Sequence, residues 1–151
     1  MSRYDTLRER FFSAKSNDEE YWKDLQNMIS TIRREFSNFL GVPDGSKVLV
    51  DGKEAPPVVI GKLENGKLRL IEYKGLPKKD RSIPFDLQIT FDREIYDSPR
   101  NYTIFSLSIS KDIRGFTVKV DGAKGTHSFL GPQFSELYEH LYSGAVNAID
   151  Y

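Results

Sequence analysis

The chain has 151 residues, with 22 Lys and Arg balanced by 22 Asp and Glu, and no cysteine. That balance creates no bulk field toward nucleic acid or anionic membrane, and the lack of thiols excludes disulfides, thiolate nucleophiles and cysteine metal sites. At this length one domain, residues 1–151, is expected to bury roughly 68–70% of the surface its unfolded form exposes, with no metal or disulfide required.

The N-terminal stretch MSRYDTLRER lacks the apolar segment of a signal peptide and no run approaches a membrane span, so a soluble, cytoplasmic protein is expected. Tyr4 to Ala14 reads as a short helix with Leu7, Phe11 and Phe12 on one side. Ser16-Asn17-Asp18-Glu19 matches a capping box, which predicts that a second helix starts there. Within it Trp22, Leu25, Met28, Ile29, Ile32, Phe36, Phe39 and Leu40 recur at steps of three and four, a stripe wide enough to cover one face of a sheet. Gly41-Val42-Pro43 ends it.

Lys47 to Val50 is a short β-branched run closed by Asp51-Gly52, and Pro56-Pro57 holds the next strand back to Val58. Residues 58–74, VVIGKLENGKLRLIEYK, form a hairpin about Asn65-Gly66, which favours positive φ at both centres of a type I′ turn. That turn sets Glu64 opposite Lys67, Leu63 opposite Leu68, Lys62 opposite Arg69, Gly61 opposite Leu70 and Val59 opposite Glu72. The leucine side is the expected core side, and Glu72 and Lys74 continue it. The Lys, Gly and Pro-rich segment KGLPKKDRSIP reads as a loop.

From Phe85 the apolar period is two. Phe85, Leu87, Ile89 and Phe91, then Phe105, Leu107 and Ile109, then Phe116, Val118 and Val120 alternate with polar residues, each strand having one mostly wet face. Polar turns at 97–101, Arg114-Gly115 and Asp121-Gly122 are too short for parallel crossovers. A last strand, Thr126 to Leu130, precedes a helix beginning near Pro132 with Phe134, Leu137, Tyr138, Leu141, Ala145 and Ile149 on its stripe. The architecture expected is α+β: an antiparallel meander sheet of about six or seven strands with the long N-terminal helix and the C-terminal helix packed on one face.

Four groups of residues are candidates for function. Glu72-Tyr73-Lys74 resembles the Glu-x-Lys half of the PD-(D/E)xK nuclease motif, and the resemblance implies Mg²⁺ binding and activation of water by Glu72 and Lys74. The family's upstream acid is missing from its place, where Val59 stands, and Asp44 or Asp51 would have to substitute. Lys74, Lys78, Lys79 and Arg81 form a cationic cluster that would suit the phosphates of a nucleic acid, beside the commoner reading of a solvated loop. His127 and His140 form an acid–base pair only if the fold unites them, and two histidines alone do not build the usual nitrogen-rich zinc site. Ser106, Ser108 and Ser110 line the outer sheet face, a smooth surface another chain would cover. The leading expectation is a non-catalytic protein-binding module such as a small inhibitor, immunity-type or adaptor protein, with another protein as partner and no cofactor or metal. The alternatives are the Mg²⁺-dependent nuclease and a small-ligand carrier with a cavity between sheet and C-terminal helix.

Overall fold

A computed structural model describes residues 2–94, 100–122 and 124–150. Helix α1 (Arg3–Leu40) precedes the small hairpin β1 (Val48–Val50) and β2 (Lys53–Ala55). Six strands follow, β3 (Val58–Glu64), β4 (Lys67–Leu70), β5 (Ile83–Thr90), β6 (Tyr102–Asp112), β7 (Gly115–Gly122) and β8 (Gly125–Gly131), and then helix α2 (Ser135–Asp150). The six form one antiparallel sheet ordered β4-β3-β5-β6-β7-β8, with β1 and β2 paired separately. The fold is α+β, as the periodicity predicts.

Two helices expected at the N-terminus are one. Ser2 supplies the capping box, its side chain accepting from the Asp5 N–H at 3.1 Å while Asp5 returns to the Ser2 N–H. No Gly or Pro lies between Arg3 and Leu40, so nothing breaks the ladder at Ser16, and the second capping-box pattern is read as helix interior. Gly41 closes the helix at φ 75°, in the left-handed cap.

The inner sheet face and the helices enclose the main core. Trp22, Leu25, Ile29, Ile32 and Phe36 of α1 and Phe134, Leu137, Tyr138, Leu141 and Ala145 of α2 pack with Val58, Ile60, Phe85, Leu87, Ile89, Leu107, Ile109, Val118 and Val120. Tyr138 donates to Glu35 at 2.9 Å, tying the two helices together. Burial first, and then the Glu35 carboxylate, push its phenol well above the usual range.

The Asn65-Gly66 hairpin forms with the expected register from Glu64↔Lys67 to Gly61↔Leu70, and both turn residues have positive φ. Beyond Leu70 the expectation fails. β4 ends there, and Val58 to Gly61 also pair on their other side with β5, so Val59 has no partner in Glu72. The leucine side is also not the main core side: Val59 and Leu68 join Val48, Val50 and Ala55 in a second apolar cluster on the outer face, beneath the β1–β2 hairpin. Hence Val58 and Ile60, from the opposite face, reach the main core.

The outer face of β5 is not wet. Asp86, Gln88 and Thr90 are buried, Gln88 lying in register between Val59 of β3 and Ile104 of β6, both of which belong to that outer cluster. Pro84 is accommodated because β3 pairs with β5 only from Asp86 onward, leaving the Pro84 side open where its missing N–H costs no bond. Of the expected polar turn at 97–101, residues 97–99 lie outside the described residues.

Gly61 marks the closest backbone approach in the hairpin: a Cβ there would sit 2.1 Å from the Arg69 carbonyl oxygen. Gly61→Ala is therefore expected to cost about 1–3 kcal/mol of unfolding free energy, measured by urea denaturation, because the clash is with backbone that cannot swing aside.

Candidate functional site

Glu72 and Lys74 do not occupy a strand. Residues Tyr73–Gly75 form a 3₁₀ turn with Glu72 as its exposed N-cap, and the Gly75 N–H donates to the Glu72 carbonyl at 2.8 Å. Period-two alternation therefore does not place carboxylate and ammonium side by side. Tyr73 is the fixed member: its hydroxyl accepts from Arg33 Nε at 3.1 Å, and Arg33 also donates to the Val58 carbonyl at 3.2 Å. Among the described residues no three His, Asp or Glu side chains converge where an ion would be held.

The cationic cluster is divided by the fold. Arg81 lies 3.9 Å from the centre of the Tyr21 ring and 5.2 Å from that of Trp22, and Lys78 sits 5.0 Å from Trp22. Arg81 also pairs with Asp18, Trp22 Nε1 donates to Asp18 at 3.2 Å, and the Tyr21 hydroxyl donates to the Arg81 carbonyl. These contacts clamp the loop onto α1 through cation–π and charged hydrogen bonds. The Arg81 hydrogen bond holds the Asp18 carboxyl below its usual range.

Lys79 points elsewhere, into a groove of about 460 Å³ on the outer sheet face that it shares with Lys62, Asp80, Asp86, Ser106, Ser108 and Asp121. Of the candidate residues, the structure thus brings Lys79, Ser106 and Ser108 together and leaves Lys74, Lys78, Arg81 and Ser110 outside. At the groove's floor Asp86, 4% exposed, accepts from the Leu63 N–H at 2.7 Å and the Ser106 hydroxyl at 2.8 Å, with the Lys62 ammonium 3.7 Å away. Through these bonds the Asp86 carboxylate of β5 links the Leu63 backbone of β3 to the Ser106 hydroxyl of β6.

Two further features bear on the remaining sequence candidates, the cavity beside the C-terminal helix and the histidine pair. At the other end of the fold, Leu40, Val42, Pro57, Phe91, Tyr142 and Ile149 help line an apolar groove of about 430 Å³ between the sheet and α2. The histidines, 13 positions apart (140 − 127), do meet: their ring centroids are 4.7 Å apart, with Phe129 5.2 Å from His140. Burial, and secondarily His127, lower the His140 pKa.

The first half of α1 carries a run of exposed apolar side chains. Residues 3–20 are exposed throughout, with Tyr4 at 69%, Leu7 at 64%, Phe11 at 61% and Phe12 at 52%. On a helix turning 100° per residue, Tyr4, Leu7 and Phe11 point in the same directions as Trp22, Leu25 and Ile29, so the exposed stripe prolongs the buried one. The signal was present in the sequence, but dividing the helix at Ser16 hid its continuity. No family model, curated protein or solved structure matches the chain, and no described helix is long and apolar enough to cross a membrane.

Asp86→Ala would leave a buried N–H, a hydroxyl and an ammonium without their acceptor, so a loss of about 2–4 kcal/mol is expected in urea denaturation. Because Arg81 lowers the Asp18 pKa, the pair's contribution is present above the unfolded carboxylate's pKa and lost as pH falls through the folded value. Arg81→Ala should move the Asp18 carboxyl titration upward, as read by carbon NMR of that side chain.

Proposed function

We propose that the protein is a non-catalytic protein-binding module and that its binding element is the projecting arm of α1, residues 3–20, which pairs antiparallel with the arm of a second copy. The observation that carries this reading is the stripe of Tyr4, Leu7 and Phe11, with Phe12 beside it, on a stretch of helix that none of the described residues covers. An apolar stripe one helix wide is the surface another helix fits.

Charge supports the orientation. Toward the tip Arg3, Arg8 and Arg10 outnumber Asp5 and Glu9, while toward the root Asp18, Glu19 and Glu20 outnumber Lys15. An antiparallel pair sets basic tip along acidic root, whereas a parallel pair would superpose like charges. Arg8 lies 6.0 Å from the Tyr4 ring centre and 5.7 Å from that of Phe12, which lines the flank of the stripe with an amphipathic stem.

Area is also adequate. From their exposures, the four apolar side chains offer roughly 500 Å² per arm, or roughly 1,000 Å² for a pair, the lower bound for a specific interface. Two-fold pairing closes on itself and leaves no open end.

Sedimentation equilibrium at micromolar concentration should give a dimer. Leu7→Asp with Phe11→Asp should weaken it by about 3 kcal/mol or more, well over 100-fold, while the variant monomer keeps a cooperative unfolding transition, because both residues are exposed. A wild-type chain that sediments as a monomer at 100 µM on the order of standard working concentrations would overturn the reading. So would a dimer that the double variant leaves intact.

A further inference from the structure

We infer that His127 and His140 together form a binding site for a divalent transition metal ion of the zinc, copper or nickel class. This site is independent of the α1 arm. The side chains come from different elements, His127 from β8 and His140 from α2, so the tertiary fold creates the pair.

Three observations support it. The first is distance. With metal–nitrogen bonds of about 2.0–2.1 Å and bond angles of about 90–110°, two imidazoles on one ion have ring centroids about 4.5–5.3 Å apart. Their separation of 4.7 Å falls in that window before any movement.

The second is availability. Neither histidine is a partner in any side-chain hydrogen bond or ion pair of the described residues, so the ring nitrogens are not committed to the protein. Metal-binding imidazoles must be neutral with a free nitrogen.

The third is access and chemistry. His127 is exposed and His140 half-buried, an approach open to an ion from solvent. Imidazole without thiolate or a carboxylate cluster selects zinc, copper and nickel over magnesium and calcium, which demand oxygen. No third His, Asp or Glu completes the site among the described residues, so the remaining coordination positions fall to water or to a donor from a bound molecule. The chelate would link the free edge strand β8 to α2, joining the end of the sheet to the helix that covers it.

Isothermal titration of the full-length chain with ZnCl₂ at pH 7.5, run beside thermal melts with and without Zn²⁺, tests the site. The expected result is one saturable Zn²⁺ per chain and a melting temperature raised by the ion, both reversed by a chelator. His127→Ala and His140→Ala should each weaken binding about tenfold or more, because the second imidazole of a chelate binds at high effective concentration. Each should also remove the melting shift. His127→Ala keeps the test decisive if His140→Ala proves poorly folded, since His127 is exposed. No saturable binding by the wild type, or Zn²⁺ binding unchanged in His127→Ala, would overturn the assignment.

Discussion

A single mismatch of length shapes this molecule. Helix α1 has 38 residues and so runs about 57 Å, whereas the longest strand, β6, has 11 residues and spans roughly 37 Å, and six strands side by side measure roughly 24 Å. No placement of the helix on the sheet can cover all of it. The stripe that starts at Trp22 is spent on the core, and the stripe from Tyr4 to Phe11 stands beyond it. The proposed arm pairing follows from that excess, since a helix made to lie on its own sheet would have no reason to extend its apolar face past the last contact.

Where α1 leaves the sheet, the loop between β4 and β5 fixes the point of departure. Tyr21 and Trp22 offer ring faces to Arg81 and Lys78, Asp18 pairs with Arg81, and Lys111 at the end of β6 reaches Asp24 at 2.8 Å. The same contacts consume cations that a phosphate-binding surface would need free. Local charge here joins a helix to the loop and strand beside it, and the electrostatic field of a neutral chain stays short in range.

The two sheet faces are closed by different means. Helices cover the inner face with a continuous apolar core, while the outer face carries a small second cluster under β1–β2 and, next to it, the polar node at Asp86. A carboxylate with 4% exposure is tolerated there because a backbone N–H, a hydroxyl and an ammonium surround it. β3 pairs with β5 as far as Gly61↔Asp86 and with β4 from Gly61 to the turn, so the hairpin keeps its register at the tip and its pairing stops where β4 ends at Leu70.

What the sequence determined by itself was local. Asn65-Gly66 dictates its turn and four cross-strand pairs, the period-two runs from Phe85 dictate antiparallel strands, and Gly41 dictates where the first helix stops, because φ preference and side-chain alternation act over a few residues. Tertiary structure alone decided which face of β3 became core, how Asp86, Gln88 and Thr90 came to be buried, and where Glu72 and Lys74 left the strand. It also decided that His127 would meet His140 and that residues 3–20 would find no sheet beneath them. Each of those outcomes depends on contacts between segments distant in the chain, and a pattern of neighbours along the backbone holds no record of which distant surface arrives to cover it.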